Sequence, residues 1–189
     1  EGDDLRYTPA GDYNGSDSFF YTISDGHGGV TTGPVSVTVN PVNDEPSFSL
    51  GSSPAVAEDS GGYIGIGWAT NISPGPANEA GQALTFHVTA DNLALFSTPP
   101  SISSTGLLFF QTGDNSNGST TVTVYLTDDG GTANGGDDRS PDQTVTITLT
   151  PVNDTPSAAD DTASVDEDGT VIIPVLTNDG DVVGDSLSV

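Results

Sequence analysis

Val35-Ser36-Val37-Thr38-Val39-Asn40-Pro41-Val42-Asn43-Asp44-Glu45-Pro46 alternates apolar and polar residues, then stops on a Pro-Val-Asn-Asp linker. The same pattern returns at Val145-Thr146-Ile147-Thr148-Leu149-Thr150-Pro151-Val152-Asn153-Asp154-Thr155-Pro156. Alternation with a period of two is the mark of a half-buried strand. The prolines at 46 and 156 hold the residue before them extended and stiffen the linker. The tetrapeptides begin at residues 41 and 151, a spacing of 110 residues. A period of that size is a whole small domain, so the chain reads as domains in tandem. No catalytic site shows within a unit, so function is expected in the string and its hinges.

Other landmarks recur. Asn14-Gly15-Ser16 matches Asn117-Gly118-Ser119, and each glycine precedes an aspartate, Asp25 or Asp128, by ten residues. Between them Phe19, Tyr21 and Ile23 match Val122, Val124 and Leu126, and before them Leu5 and Tyr7 match Leu108 and Phe110 on a preceding strand. The start of a repeat appears at Ala57-Glu58-Asp59-Ser60-Gly61 and again at Asp166-Glu167-Asp168-Gly169-Thr170. Trp68-Ala69-Thr70-Asn71 likewise matches Val175-Leu176-Thr177-Asn178. Three units follow: 1–46 is the C-terminal part of a repeat, 47–156 a complete repeat, and 157–189 the N-terminal part of a further one. Thr132–Gln143 reads as a Gly- and Asp-rich loop inserted in the middle repeat. With 24 glycines and 13 prolines between short alternating runs, and no sustained helical periodicity, the fold class is all-β.

Composition narrows the function. There are 27 acidic residues against two basic ones, Arg6 and Arg139, for a formal charge of −25. Nucleic acid is excluded as a partner because binding it needs clustered cations, and an anionic membrane surface is disfavoured for the same reason. Charge of this size destabilises a compact state unless cations neutralise it. The carboxylates sit at fixed points of the repeat, as ligands of a hard divalent cation would; a merely solvated acidic surface is the alternative. Cysteine is absent, so there is neither a disulfide framework nor a thiolate site. No run approaches the ~20 apolar residues of a membrane span. Glu1 is not a natural start, and the chain reads as a window cut from a longer protein.

The Val-Asn-Asp-x-Pro boundary resembles the linker of bacterial cadherin-like tandem repeats. So do Ser24-Asp25-Gly26-His27-Gly28-Gly29 and the run from Glu167-Asp168-Gly169-Thr170 to Asn178-Asp179-Gly180-Asp181. Such modules recur in long secreted adhesins and in some surface polysaccharide-binding proteins. The resemblance implies tandem Greek-key, Ig-like β-sandwiches arranged end to end, an extracellular location, and Ca2+ between successive repeats. It implies ligands from an early Glu and a late Asp of the preceding domain, from the linker, and from an Asp-x-Asp loop of the following one. For the second hinge these are Glu58, Asp128 and Asp129, then Asn153 and Asp154, then Asp179 and Asp181. For the first they are Asp25, Asn43 and Asp44, with Asn71, Asn78 and Glu79 where the third unit has Asn178, Asp179 and Asp181. Fewer carboxylates there imply weaker binding or fewer ions. The competing reading is local: Asp25 and Asp128 precede glycines, where Asx turns form without metal.

Catalysis is not expected. His27 and His87 occupy different repeat positions, and no nucleophile elbow, His-Glu-x-x-His or phosphate loop is present. A carbohydrate-binding module needs outward aromatics; Trp68 reads as core, and Phe109 is the outward member of Phe109-Phe110. A filament whose subunits complete one another's partial repeats by strand addition is a further reading. Partners are therefore calcium, neighbouring repeats, and a cell-surface glycan or like subunits. Asn14, Asn71, Asn117 and Asn153 each open an Asn-x-Ser/Thr site.

Overall fold

The computed structural model describes residues 4–182 and 184–189. It is all-β, with no helix among the described residues longer than a single 3-10 turn. Before the first linker lie β1 (Gly15–Ser24) and β2 (Val30–Val39). After it come β3 (Ser47–Ser49), β4 (Ala55–Ala57), β5 (Gly62–Gly65), β6 (Thr70–Ser73) and β7 (Thr85–Ala90). Then follow β8 (Phe96–Ile102), β9 (Leu108–Thr112), β10 (Gly118–Thr127) and β11 (Gln143–Thr150).

The repeat correspondence holds at the level of register. In the β1–β2 hairpin Gly15 lies opposite Val39 and Phe19 opposite Val35. In the β10–β11 pair Gly118 lies opposite Leu149 and Val122 opposite Val145. The two hairpins differ in their turns: 25–29 is short, whereas the segment after β10 carries the insertion, which forms an irregular loop around a 3-10 turn at Ala133–Gly135.

The middle repeat is a β-sandwich of the Ig type. One sheet runs β4-β11-β10-β7 and the other β5-β9-β8, while β3 pairs with β6. β4 joins β11 in parallel, Val56 opposite Leu149, so that the last strand gains a neighbour from near the start of the sandwich. Alternation puts Val122, Val124, Val145, Ile147 and Leu149 inside from one sheet, and Leu108, Phe110, Phe96 and Ile102 from the other. The Phe110 ring stacks on Tyr63 with centroids 4.8 Å apart and meets the edge of Phe96 at 5.5 Å. Phe109, one residue earlier, is half-buried, as alternation requires. Trp68 is buried, and its Nε1–H donates to the Ser52 carbonyl at 2.9 Å, so a core role satisfies both the ring and its polar handle.

Two segments that match strands in sequence do not form them. Residues 4–10 are irregular, although Leu5 and Tyr7 match Leu108 and Phe110 of β9. β9 is held between β5 and β8, and among the described residues no such neighbours flank 4–10. Tyr7 instead stacks on Phe19 at 6.1 Å and donates its hydroxyl to Asp17. Beyond Ser157 the described residues form only the Ser157–Gly180 bridge. The matching β4 owes its extension to β11, and no equivalent hairpin lies beside 164–166.

Packing divides the chain into two compact units. One holds the residues through Ser49 with Asn71–Thr85 and Tyr125–Pro141, and so contains the first linker. The other holds Leu50–Thr70, Phe86–Val124 and the residues from Asp142 onward, and contains the second.

Phe110→Ala is expected to lower the unfolding free energy by about 3–5 kcal/mol, from lost transfer and the cavity left behind. Phe109→Ala, at a half-buried position on the other face, is expected to cost about 1 kcal/mol or less. Urea titration of both variants followed by Trp68 fluorescence checks the pair.

Candidate functional site

The first linker is organised by Asn43 and Asp44. The insertion after β10 folds back on it: Asp137 donates its N–H to the Asn43 carbonyl at 3.0 Å. The Asn43 Nδ2 group donates to the Asp137 carbonyl at 2.7 Å and to Asp128 Oδ1 at 2.9 Å. Gln82 Nε2 in turn donates to Asn43 Oδ1 at 2.6 Å. Asp44 donates its N–H to Glu79 Oε1 at 3.1 Å, from a glutamate only 5 % exposed at the end of the Ala77–Glu79 turn. Asn43, Glu79 and Gln82 line a cleft of about 750 Å³ with Asn40, Val42 and Asn134.

Three buried oxygens in this group have no hydrogen-bond partner: Glu79 Oε2, Gln82 Oε1 and Asp128 Oδ2. Buried acceptors are normally satisfied, because desolvation without compensation is costly. The chain has little to satisfy them with. Its cations are two, and the Arg139 guanidinium lies 3.9 Å over the Tyr125 ring. Unpartnered carboxylate and amide oxygens are the groups that a hard cation takes as ligands. Its walls fit closely: Gly75 has φ +147°, and a Cβ there would meet Glu79 Oε2.

The second linker repeats the theme with different residues. Glu58 is fully buried and accepts from the Val152 N–H at 2.9 Å and from Asn117 Nδ2 at 3.2 Å. Asp154 is half-buried, with Oδ2 enclosed and unpartnered. Desolvation and the negative charges of Asp59, Glu58 and Asp181 push its carboxyl above the ordinary aspartate range. Asn153 donates Nδ2 to the Asp154 carbonyl. In the following segment Asp179 Oδ1 accepts from the Ala159 N–H and Asp181 Oδ1 from the Asp185 N–H.

The ligand grouping read from the sequence needs correcting. Asp128 and Asp129 belong with the first linker, where Asp128 meets Asn43 and Asp129 Oδ1 accepts the Ala83 N–H at 2.8 Å. The reason is strand length: β10 carries the chain ten residues from Gly118, roughly 30 Å, before reaching Asp128. Asp25 is displaced from the first linker by the same geometry, since the 25–29 turn and the linker lie at opposite ends of the β1–β2 hairpin. Its Oδ1 accepts the N–H groups of His27 and Gly29 at 2.8 and 2.9 Å, an Asx turn whose bonds hold the carboxyl below the usual range. Around the second linker the structure places Glu58, Asn153, Asp154 and Asp181 with Asp59 and Asn117, while Asp179 accepts from the Ala159 amide. Around the first linker the structure places Asn43, Asp44, Asn78 and Glu79, which the sequence assigned to it, together with Asp128, Asp129 and Gln82. Asp59 and Asn117 adjoin sequence landmarks; nothing in the sequence marks Gln82.

Among the described residues no three Asp, Glu, His or Cys side chains converge as a metal-binding group. A six- to eight-coordinate cation at either linker therefore also needs amide and carbonyl oxygens.

A family model described as Bacterial Ig domain matches residues 1–38, a stretch that takes in β1 and nearly all of β2. That stretch is similar to a bacterial Ig-like repeat; the match stops short of the Pro41–Asp44 linker. No curated protein and no solved structure matches the chain. No helix among the described residues is long and apolar enough to cross a membrane.

Because the Asp154 carboxyl is raised in the folded state, its charge opposes folding above the folded pKa, and the penalty fades as pH falls towards the unfolded value near 4. In chelator, Asp154→Asn is expected to melt above the parent chain at pH 7 and to lose that advantage as the pH approaches about 4. Paired melting curves across this range check it; the opposite-signed contributions of Asp17 and Asp25 cancel in the difference. Gly75→Ala is expected to cost about 1–3 kcal/mol through its backbone conformation alone.

Proposed function

We propose that this chain is a calcium-stiffened spacer segment of a large extracellular bacterial surface protein of the cadherin-like, adhesin type, with no enzymatic role. The carrying observation is that both Val-Asn-Asp linkers enclose carboxylate oxygens without partners, in a chain of formal charge −25. Similarity of residues 1–38 to a bacterial Ig-like repeat supports a surface setting.

At the second linker the ion would draw on Asp154 and Glu58, and at the first on Glu79 and Asp128, with amide and carbonyl oxygens for the rest. Bound Ca2+ would supply positive charge where the linker carboxylates otherwise repel one another. The chain's own residues do the rest. Glu58 fixes the second linker through the Val152 amide, and Glu79 fixes the first through the Asp44 amide. Each linker is thereby tied to a buried carboxylate of the middle repeat. Ions that bind only the ordered junction stabilise it by mass action, about 2.7 kcal/mol at a hundredfold excess over Kd. Extracellular calcium suits the millimolar sites typical of outside modules.

A second reading, subunits joined by strand addition into a filament, is favoured by exposed apolar residues on β1–β2 and beyond the second linker. Ile23 is 55 %, Val30 71 % and Ile172 91 % exposed. Sedimentation over a range of concentrations separates the two, because open-ended association belongs to the filament alone.

Millimolar calcium is expected to raise the melting temperature of the chain relative to chelator by several degrees, and Asp154→Ala to lose a large part of that rise. An unchanged melting curve would remove the calcium reading and leave the linker carboxylates as solvated turns.

A further inference from the structure

We propose that Gln82 is a metal ligand of the first linker, through Oε1, and that Asn43 positions it without ligating. The inference rests on the calcium reading above and concerns which of this chain's oxygens complete the site.

Donor and acceptor bookkeeping fixes the orientation of both amides. Asn43 faces two groups that can only accept, the Asp137 carbonyl at 2.7 Å and Asp128 Oδ1 at 2.9 Å, so its Nδ2 must point at them. Its Oδ1 is then turned to Gln82 at 2.6 Å, and Gln82 must present Nε2 there. Gln82 Oε1 is left buried with no donor. Reversing either amide would set donor against donor or acceptor against acceptor. The relay Gln82–Asn43–Asp128 therefore consumes the Asn43 oxygen that the linker motif offers. Gly130 closes it from the side: its N–H donates to Asp128 Oδ1 at 2.9 Å, and a Cβ there would run into Asn43 Oδ1 and Gln82 Nε2.

A second observation points the same way. Glu79, 5 % exposed, lines the same cleft and holds Oε2 unpartnered beside the Asp44 amide it has captured. Asp128 Oδ2 is the third buried orphan around the Asn43–Asp44 dipeptide. Two carboxylate oxygens and one amide oxygen give a divalent cation charge balance and a neutral third ligand. Backbone carbonyls and solvent would complete its shell.

The test is calcium titration by isothermal calorimetry on the whole 189-residue chain carrying Asp154→Asn, so that the first linker is read with the second disabled. Gln82→Glu decides by sign. If Oε1 ligates, the added charge outweighs the Nε2 bond to Asn43 that is lost in either case and tightens calcium binding about tenfold, because ligand charge count sets affinity. If Gln82 acts only through its Nε2 bond to Asn43, the same change removes that donor, sets acceptor against acceptor and weakens binding. Gln82→Leu is expected to weaken binding about tenfold, and Asn43→Ala by about 10–100-fold, as for residues that orient ligands. Weaker or unchanged binding in Gln82→Glu overturns the assignment while leaving the calcium reading in place. Absence of any calcium heat in the parent chain overturns both.

Discussion

Negative charge gathered without donors at two short linkers is the constraint around which this molecule is organised. The chain has two basic side chains, so buried carboxylates cannot be met by ion pairs as they are in most proteins. Glu58 and Glu79 are instead met by backbone amides of the linkers themselves, at Val152 and Asp44. That choice ties linker to repeat, but it satisfies only part of the oxygen inventory. Glu79 Oε2 and Asp128 Oδ2 at the first linker and Asp154 Oδ2 at the second are the remainder. The raised Asp154 carboxyl is the same shortfall seen as a proton equilibrium.

The sandwich supplies the geometry. A ten-residue hairpin carries a linker at one end and a turn at the other, so each linker collects its partners from loops separated by whole strands in sequence. Asn43 meets a side chain 85 residues away, and Val152 meets one 94 residues away. The compact units follow from this, each containing one linker and the loops bound to it. The strands that bury Phe110 and Ile147 position the segments that meet at the second linker.

The segments on either side of the sandwich show what its neighbouring strands supply. β9 is a strand because β5 and β8 flank it, and residues 4–10, with a similar pattern, are not. Strand propensity at this length does not stand without neighbours. The β1–β2 hairpin persists because its ten-residue register is closed by a short turn that Asp25 stabilises with two backbone bonds.

The sequence by itself determined the all-β class and showed the recurrence of its alternating runs, because alternation and turn residues are local and period-two patterns have one buried face; which runs pair, and in what register, came from the tertiary structure. It also marked Trp68 and Phe110 as core and Phe109 as half-exposed. Only the tertiary structure decided which linker each acidic residue serves. Asp128 reads as a neighbour of Asn153 because both follow Glu58 in one repeat, yet a strand's length carries it to Asn43. Gln82 carries no motif at all; its role arises from hydrogen-bond complementarity between segments far apart in sequence, which no one-dimensional pattern encodes.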